Sequence, residues 1–226
     1  MASSENHPDF DAVVIGAGFA GLGMLRRLRE EHGMSVQVYE TGNGVGGTWY
    51  WNRYPGARCD VESMQYSYQF SKKLEQEWEW TEKYSTQPEI LRYANHVADR
   101  FDLRRDIQFN ARVESVVFDE QTQRWDLKIN AQDRISATFC VMATGCLSAP
   151  NTPAFVNLEN YNGKVFHTGN WPQEDVDFSG NSVGVIGTPT TQITKDLPNT
   201  RSYTLSNYLR RVEIPVLLIC RTLIIR

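Results

Sequence analysis

The sequence predicts an α/β fold whose parallel strands end in glycine turns. Three observations predict it. Residues 11–40 read as strand, glycine-rich turn, helix and second strand. The apolar run ISATFCVMATG closes on Gly145 like another buried strand. SVGVIG at 182–187 repeats the Ile-Gly ending of VVIGAGFAG at 13–21. Buried strands alternating with helices are the pattern of a doubly wound sheet.

The elements follow in order. DAVVI, residues 11–15, is a short buried strand. Residues 19–31 form a helix with Leu22, Leu25 and Leu28 on one face and Arg26, Arg27, Arg29 and Glu30 largely outside it. SVQVYE at 35–40 alternates through Val36 and Val38 and ends on Glu40, completing a βαβ unit. Residues 41–60 are loop-like, and a helical region is expected around 71–83. A better helix covers 86–103. Thr86 or Ser85 caps it, Pro88 suits its first turn, and Ile90, Leu91, Ala94, Val97, Ala98 and Phe101 make one apolar stripe. RVESVVF and RWDLKI flank DEQTQ as a hairpin. Residues 148–181 are loop-rich. After residue 188 no strong period organises the chain, which ends in an apolar tail.

Composition narrows the function classes. A chain of 226 residues holds one large domain or two small ones, and 41% apolar and 12% aromatic content is enough for a core. A net charge of -4 gives no electrostatic case for nucleic acid or an anionic membrane. The polar start MASSENHPDFDA lacks an apolar signal core, and IPVLLICRTLII, interrupted by Arg221, is too short to span a bilayer. Cys59, Cys140, Cys146 and Cys220 form no CxxC pair and no cluster with histidine, which argues against structural zinc and a disulfide framework. A reduced, cytoplasmic location is expected.

The first glycine turn carries the chemistry. Gly16 permits the tight turn, Gly18 lets the backbone approach a pyrophosphate, and Gly21 lets helix and strand pack closely. The helix N-terminus presents N–H groups to the phosphates. A carboxylate at Glu40 can accept from both ribose hydroxyls and repels a 2′-phosphate, so the turn suits FAD or NAD rather than NADP. The alternative is an ordinary buried βαβ turn.

The stretch GVGGTWYWNRYPGARCD at 44–60, with Glu40 upstream and MATG at 142–145, resembles the FAD domain of flavin-containing monooxygenases. GGTWYWNRYPGARCD, together with Gly163-x-x-x-His167-x-x-x-Trp171-Pro172, resembles the Baeyer–Villiger monooxygenases more specifically. Tyr161 stands where the family signature begins with Phe. The resemblance runs from about residue 10 to residue 188. It implies a Rossmann-type, three-layer, glutathione-reductase-like FAD domain at 1–150. A linker with the signature and the first strand of an NADP domain follows at 151–188, and a non-family tail at 189–226.

The resemblance also implies roles. Gly16, Gly18 and Gly21 cradle the FAD pyrophosphate and Glu40 holds its ribose. Gly47, Thr48, Trp49, Tyr50 and Trp51 line the route to the isoalloxazine. Asp60 sits near the flavin ring, Tyr66 contacts the cofactor, and the Val113 backbone touches the adenine. Arg58, Cys59 and Asp60 also meet the nicotinamide cofactor, and His167 couples domain movement to catalysis. The implied reaction uses NADPH, FAD and molecular oxygen to convert a ketone to an ester or lactone. Bland readings stand beside these. Trp49, Trp51 and Tyr54 also suit a core, Asp60 a helix cap, and His167 a structural hydrogen bond. Cys59 lacks a resolving partner and is read as inert in redox terms. A non-catalytic FAD-binding fragment, an interaction protein and a heteroatom-oxidising flavin monooxygenase remain alternatives.

The second loop departs from the pattern. Pro189 stands at the middle glycine, removing an N–H and adding bulk, and Gln192 stands where a small residue allows close helix packing. Everything after Thr188 departs from the family. No second βαβ unit and no 2′-phosphate reader are read there, which predicts a truncated form with little or no turnover. The first sheet is then expected to keep an unpaired edge, which the apolar tail Ile214–Ile225 patches or which aggregates.

Overall fold

A computed structural model describes residues 7–131, 133–150, 155 and 158–186, with the strands at 201–205 and 216–219. The chain divides into two compact units. One comprises Met1–Tyr50, Ser67–Glu79 and Leu91–Gly145; the other comprises Trp51–Tyr66, Trp80–Ile90 and Cys146–Arg226. The last junction between the units lies at Gly145, and residues 51–66 and 80–90 of the expected first domain fall in the second unit. The two interleaved segments had no compositional signal.

The first unit begins with β1 (Phe10–Ile15), α1 (Phe19–His32) and β2 (Val36–Tyr39). α2 (Thr48–Trp51), α3 (Lys72–Glu77) and α4 (Gln87–Arg100) follow, Trp51 and Gln87 to Ile90 being counted with the second unit. Then come β3 (Ile107–Gln108), β4 (Val113–Asp119), β5 (Arg124–Ile129) and β6 (Asp133–Met142). Six strands form one sheet in the order β3-β2-β1-β6-β5-β4. β1 lies parallel to both β2 and β6, while β4, β5 and β6 pair antiparallel. This is a mixed sheet with a Rossmann-like centre.

Burial explains the order. Ala12, Val13 and Val14 of β1 are fully buried on both faces, as a central parallel strand requires. Leu22 and Leu25 of α1 are buried, each worth about 1.5–3 kcal/mol. Val13, Tyr39, Ala111, Leu127, Ile129 and Ala137 form one cluster across the sheet. α1 stops at Gly33, whose left-handed backbone returns its N–H to the Leu28 carbonyl.

Several elements differ from the sequence reading. Arg26 and Arg29 lie outside the leucine face as expected but are not solvent-exposed: their side chains are 16% and 15% exposed. Arg26 lies 4.5 Å over the Phe70 ring. Arg29 donates to the Asp102 carbonyl and the Asp106 carboxylate, at 2.9 and 2.7 Å, and to the Phe101 carbonyl, tying α1 to the chain beyond α4. α3 is shorter than the helical region expected at 71–83. It is capped by Ser71 and ends where Trp78 turns extended, its indole 5.2 Å from the Tyr93 ring. α2 occupies part of the stretch read as loop. The carbonyls of Gly46 and Gly47 accept from Trp49 and Tyr50 to start its turns. The apolar stripe of α4 is as expected, with Tyr93 added to it at 1% exposure.

The second unit contains β7 (Lys164–His167), β8 (Ser182–Ile186), β9 (Arg201–Leu205) and β10 (Val216–Ile219). They form a parallel sheet in the order β7-β10-β8-β9. Two expectations are corrected here. The tail does add parallel strands: β9 pairs with β8 from Ser182↔Arg201 to Ile186↔Leu205. The described part of the apolar tail, Val216–Ile219, is not a strand of the first sheet: β10 pairs with β7 and β8. A fully paired central strand reads as a bare apolar run such as VLLI.

Candidate cofactor site

Three glycine turns meet at the ends of β1, β2 and β6. A Cβ added to Gly16 would lie 2.8 Å from the Ala143 carbonyl oxygen in the turn after β6. One added to Gly21 would collide with the Gly16 carbonyl, which closes α1 onto β1. One on Gly47, whose φ is +55°, would lie 2.8 Å from the Gly18 Cα. The Gly46 N–H donates to the Ala17 carbonyl at 3.0 Å. The backbones therefore touch where a side chain would fill the cradle. No side chain caps α1 at Gly18 and its first turn holds no acid, so the positive end of a 14-residue helix faces the turn. This arrangement fits the pyrophosphate of a dinucleotide, which Gly16 and Gly18 would hold with Gly47 against them.

Glu40 is 5% exposed at the end of β2. One carboxylate oxygen accepts the Ala17 N–H and the other the Gly42 N–H, both at 2.8 Å. The Glu40 carbonyl accepts from Ala111, which brings the start of β4 at Val113 toward the same end of the sheet. Thr48 opens α2 and Trp49 is 8% exposed, a core aromatic in this structure. Tyr50 donates to the Asn43 side chain at 2.5 Å and its ring covers Gly44, so it braces the loop after β2.

The remaining expected residues belong to the second unit. Trp51 is 37% exposed. Arg58 donates to Glu82 at 3.1 Å and to the Tyr84 carbonyl, while its Nε is buried without a hydrogen-bond partner among the described residues. Cys59 is buried, with its N–H on the Ser85 carbonyl at 3.0 Å. Burial pushes its thiol pKa up, partly offset by hydrogen bonds involving Ser63 and Ser85. The residue for which the resemblance implies a nicotinamide contact thus has an interior thiol. Asp60 is exposed and precedes the short 3₁₀ turn Ser63–Tyr66 by three positions, so the cap reading fails. Tyr66 ends that turn, half-buried.

A buried polar network holds the Asp60 segment, and sequence reasoning missed it. The Ser63 and Ser85 hydroxyls meet at 2.7 Å, Ser85 donates its N–H to the Ser63 hydroxyl, and Ser63 also meets the Glu82 carbonyl at 2.7 Å. Glu89 accepts from the Thr81 N–H and hydroxyl, both at 2.9 Å. The only sequence signal was a serine beside a proline-started helix, and that reads as a cap.

His167 ends β7 and caps the following 3₁₀ turn. Its Nδ1 accepts the Gly169 N–H at 3.0 Å, which leaves Nε2 to carry the proton of the neutral ring. A Cβ on Gly169 would lie 3.2 Å from the imidazole, so the glycine permits this approach. Trp171 is 7% exposed and packs with Phe166, Phe178 and Tyr54 over Val183 and Val185. The signature Trp is thus the centre of the second unit's core.

A Rossmann-like centre whose first turn touches two more glycine turns defines a dinucleotide-binding domain. The chain belongs to the pyridine nucleotide-disulphide oxidoreductase family, whose model matches residues 13–191. It contains no CxxC pair, and among the described residues Cys59, Cys140 and Cys146 are free. It is 46% identical over 185 residues to a Baeyer–Villiger monooxygenase of Pseudooceanicola batsensis, covering 82% of this chain and 34% of that protein. It is 45% identical over 184 residues to a phenazine N-monooxygenase of Lysobacter antibioticus, covering 81% of this chain and 34% of that protein. Among solved structures, an oxidized steroid monooxygenase bound to NADP is 54% identical with a TM-score of 0.77, over 84% of this chain and 38% of that one. The chain spans about a third of the length of the curated relatives it matches. The expected second-loop changes, Pro189 and Gln192, lie outside the described residues. Among the described residues no helix is long and apolar enough to cross a membrane.

Proposed function

We propose that this chain is the FAD-binding part of a flavin monooxygenase of Baeyer–Villiger type, using NADPH and molecular oxygen on a ketone. The observation that supports it most is the glycine cradle of Gly16, Gly18 and Gly47, closed at Gly21 and edged by the buried carboxylate of Glu40. Bound FAD supplies hydride acceptance and oxygen activation. The protein's part is to bind and orient. The α1 N-terminus receives the pyrophosphate charge, and Glu40 retains lone pairs for ribose hydroxyls. Arg58, Cys59 and Asp60, in the segment stapled by Ser63 and Ser85, are the residues the resemblance associates with the nicotinamide cofactor. His167 presents an Nε2 donor in a geometry fixed by Gly169.

Heteroatom oxidation is the second reading, because a phenazine N-monooxygenase matches as well as the ketone enzymes do. The test loads the purified chain with FAD, adds NADPH without oxygen and follows the visible flavin absorbance. Retained FAD that bleaches at an enzyme-like rate supports the full reading. Retained FAD that stays oxidised limits the chain to cofactor binding. A chain that retains no flavin refutes the proposal. Product analysis with a ketone and with an aromatic N-heterocycle then separates the two reactions.

A further inference from the structure

We infer that Glu40 is a positioning residue that assembles the phosphate cradle before any cofactor arrives, beyond any contact it makes with a ribose. Its two oxygens are divided between two loops. One takes the Ala17 N–H, inside the first glycine turn, and the other takes the Gly42 N–H, at the start of the loop carrying Gly46 and Gly47. The peptide of Ala17 is held from both sides, since its carbonyl accepts the Gly46 N–H at 3.0 Å. The contacts thus close a ring: Glu40 to Ala17, Ala17 to Gly46, along the chain to Gly42, and back to Glu40. Asn110 closes the far side by donating its N–H to the Gly42 carbonyl at 3.0 Å.

The chemistry selects a carboxylate here. An ionised Glu offers only acceptors, and both partners are backbone donors. Glutamine has the same shape but one acceptor oxygen, so its amide N–H₂ must face one of the two backbone N–H groups. Charge-assisted bonds to backbone N–H are among the stronger neutral-pH contacts, and this carboxylate is 5% exposed, so water does not replace it readily. Gly18 and Gly47 touch without side chains, so Glu40 and the Ala17–Gly46 hydrogen bond tie the two loops directly to each other, while Tyr50 and Asn110 brace the second loop alone.

The flavin part of this inference rests on the FAD reading; the loop part does not. The experiment is amide hydrogen exchange on the full, cofactor-free chain for wild type, Glu40→Ala and Glu40→Gln. Binding of FAD and of its 2′-deoxyadenosine analogue is then measured for each. Positioning predicts that Glu40→Ala speeds exchange at Ala17 and Gly42 at least tenfold while the β1–β2 ladder amides hold. Glu40→Gln, which preserves volume, speeds one of the two. It also predicts that Glu40→Ala weakens FAD and the deoxy analogue by similar factors. Unchanged exchange at both amides overturns the inference, as does a loss confined to FAD, which would leave Glu40 a ribose ligand alone. Wild-type chain that binds neither flavin sinks the FAD reading, while the exchange data still decide the loop part.

Discussion

Replacing Gly21 with alanine separates steric from conformational demands on glycine, with Gly33→Ala as its counterpart. Gly33 has φ +65° and nothing within 4 Å of an added Cβ, so alanine there pays only the left-handed backbone, about 1–2 kcal/mol. Gly21 lies inside α1, where alanine gains about 1 kcal/mol of helix propensity. Its Cβ, however, would collide with the Gly16 carbonyl oxygen and stand 3.0 Å from the carbonyl carbon. Neither atom belongs to a flexible side chain, so α1 must move away from β1 by roughly 1 Å. Such overpacking costs about 1–3 kcal/mol or more. It also loosens Leu22 and Leu25, whose burial is worth about 1.5–3 kcal/mol each. The expected net loss for Gly21→Ala is about 3–5 kcal/mol, against about 1–2 for Gly33→Ala. Urea unfolding of both variants measures it, with the slope compared to confirm that the same surface unfolds. FAD affinity should fall at least tenfold for Gly21→Ala and stay unchanged for Gly33→Ala. A midpoint for Gly21→Ala at or above that of Gly33→Ala would refute the close-packing argument.

Three further outcomes are expected. Arg29→Met should cost about 2 kcal/mol in urea unfolding, because it strips hydrogen bonds from the Phe101 and Asp102 carbonyls and from Asp106. Trp171→Ala should cost about 3–5 kcal/mol and open the second unit to protease. First-unit tryptophan and tyrosine signals should hold; a variant as protease-resistant as wild type would contradict the core role. Asp9 and Asp11 have pKa values below the ordinary 3.8, held there chiefly by the backbone N–H groups of Ser136 and Ser35 and then by their hydroxyls. Their contribution is complete above the ordinary value and is lost as pH falls through the lowered one. Stability should therefore decline below about pH 4, and Ser35→Ala with Ser136→Ala should shallow that decline. An unaltered pH profile in the double variant would show that the two hydroxyls contribute nothing to it and leave the backbone N–H groups as its source.

Local chemistry was legible in the sequence. Glycine spacing, the alternation of Val36 and Val38, and the stripe from Ile90 to Phe101 act within a few residues, so their consequences can be read along the chain. The first βαβ unit, the hairpin of β4 and β5, and α4 emerged from that alone, as did Gly16, Gly18, Gly21 and Glu40; Gly47 came from the resemblance. Contact across the chain was decided by tertiary structure. That Gly47 touches Gly18, that Glu40 divides its oxygens between two loops, and that Arg26 and Arg29 turn inward depend on segments far apart in sequence. Cys59 sat in a family motif but is an interior thiol, because its neighbours include Ser85, 26 positions away. The tail shows the same limit: VLLI and RSYTL carry no period, yet β10 and β9 find partners in β7 and β8. A strand's pairing energy comes from the neighbour it meets, and a short apolar run does not specify which neighbour that is.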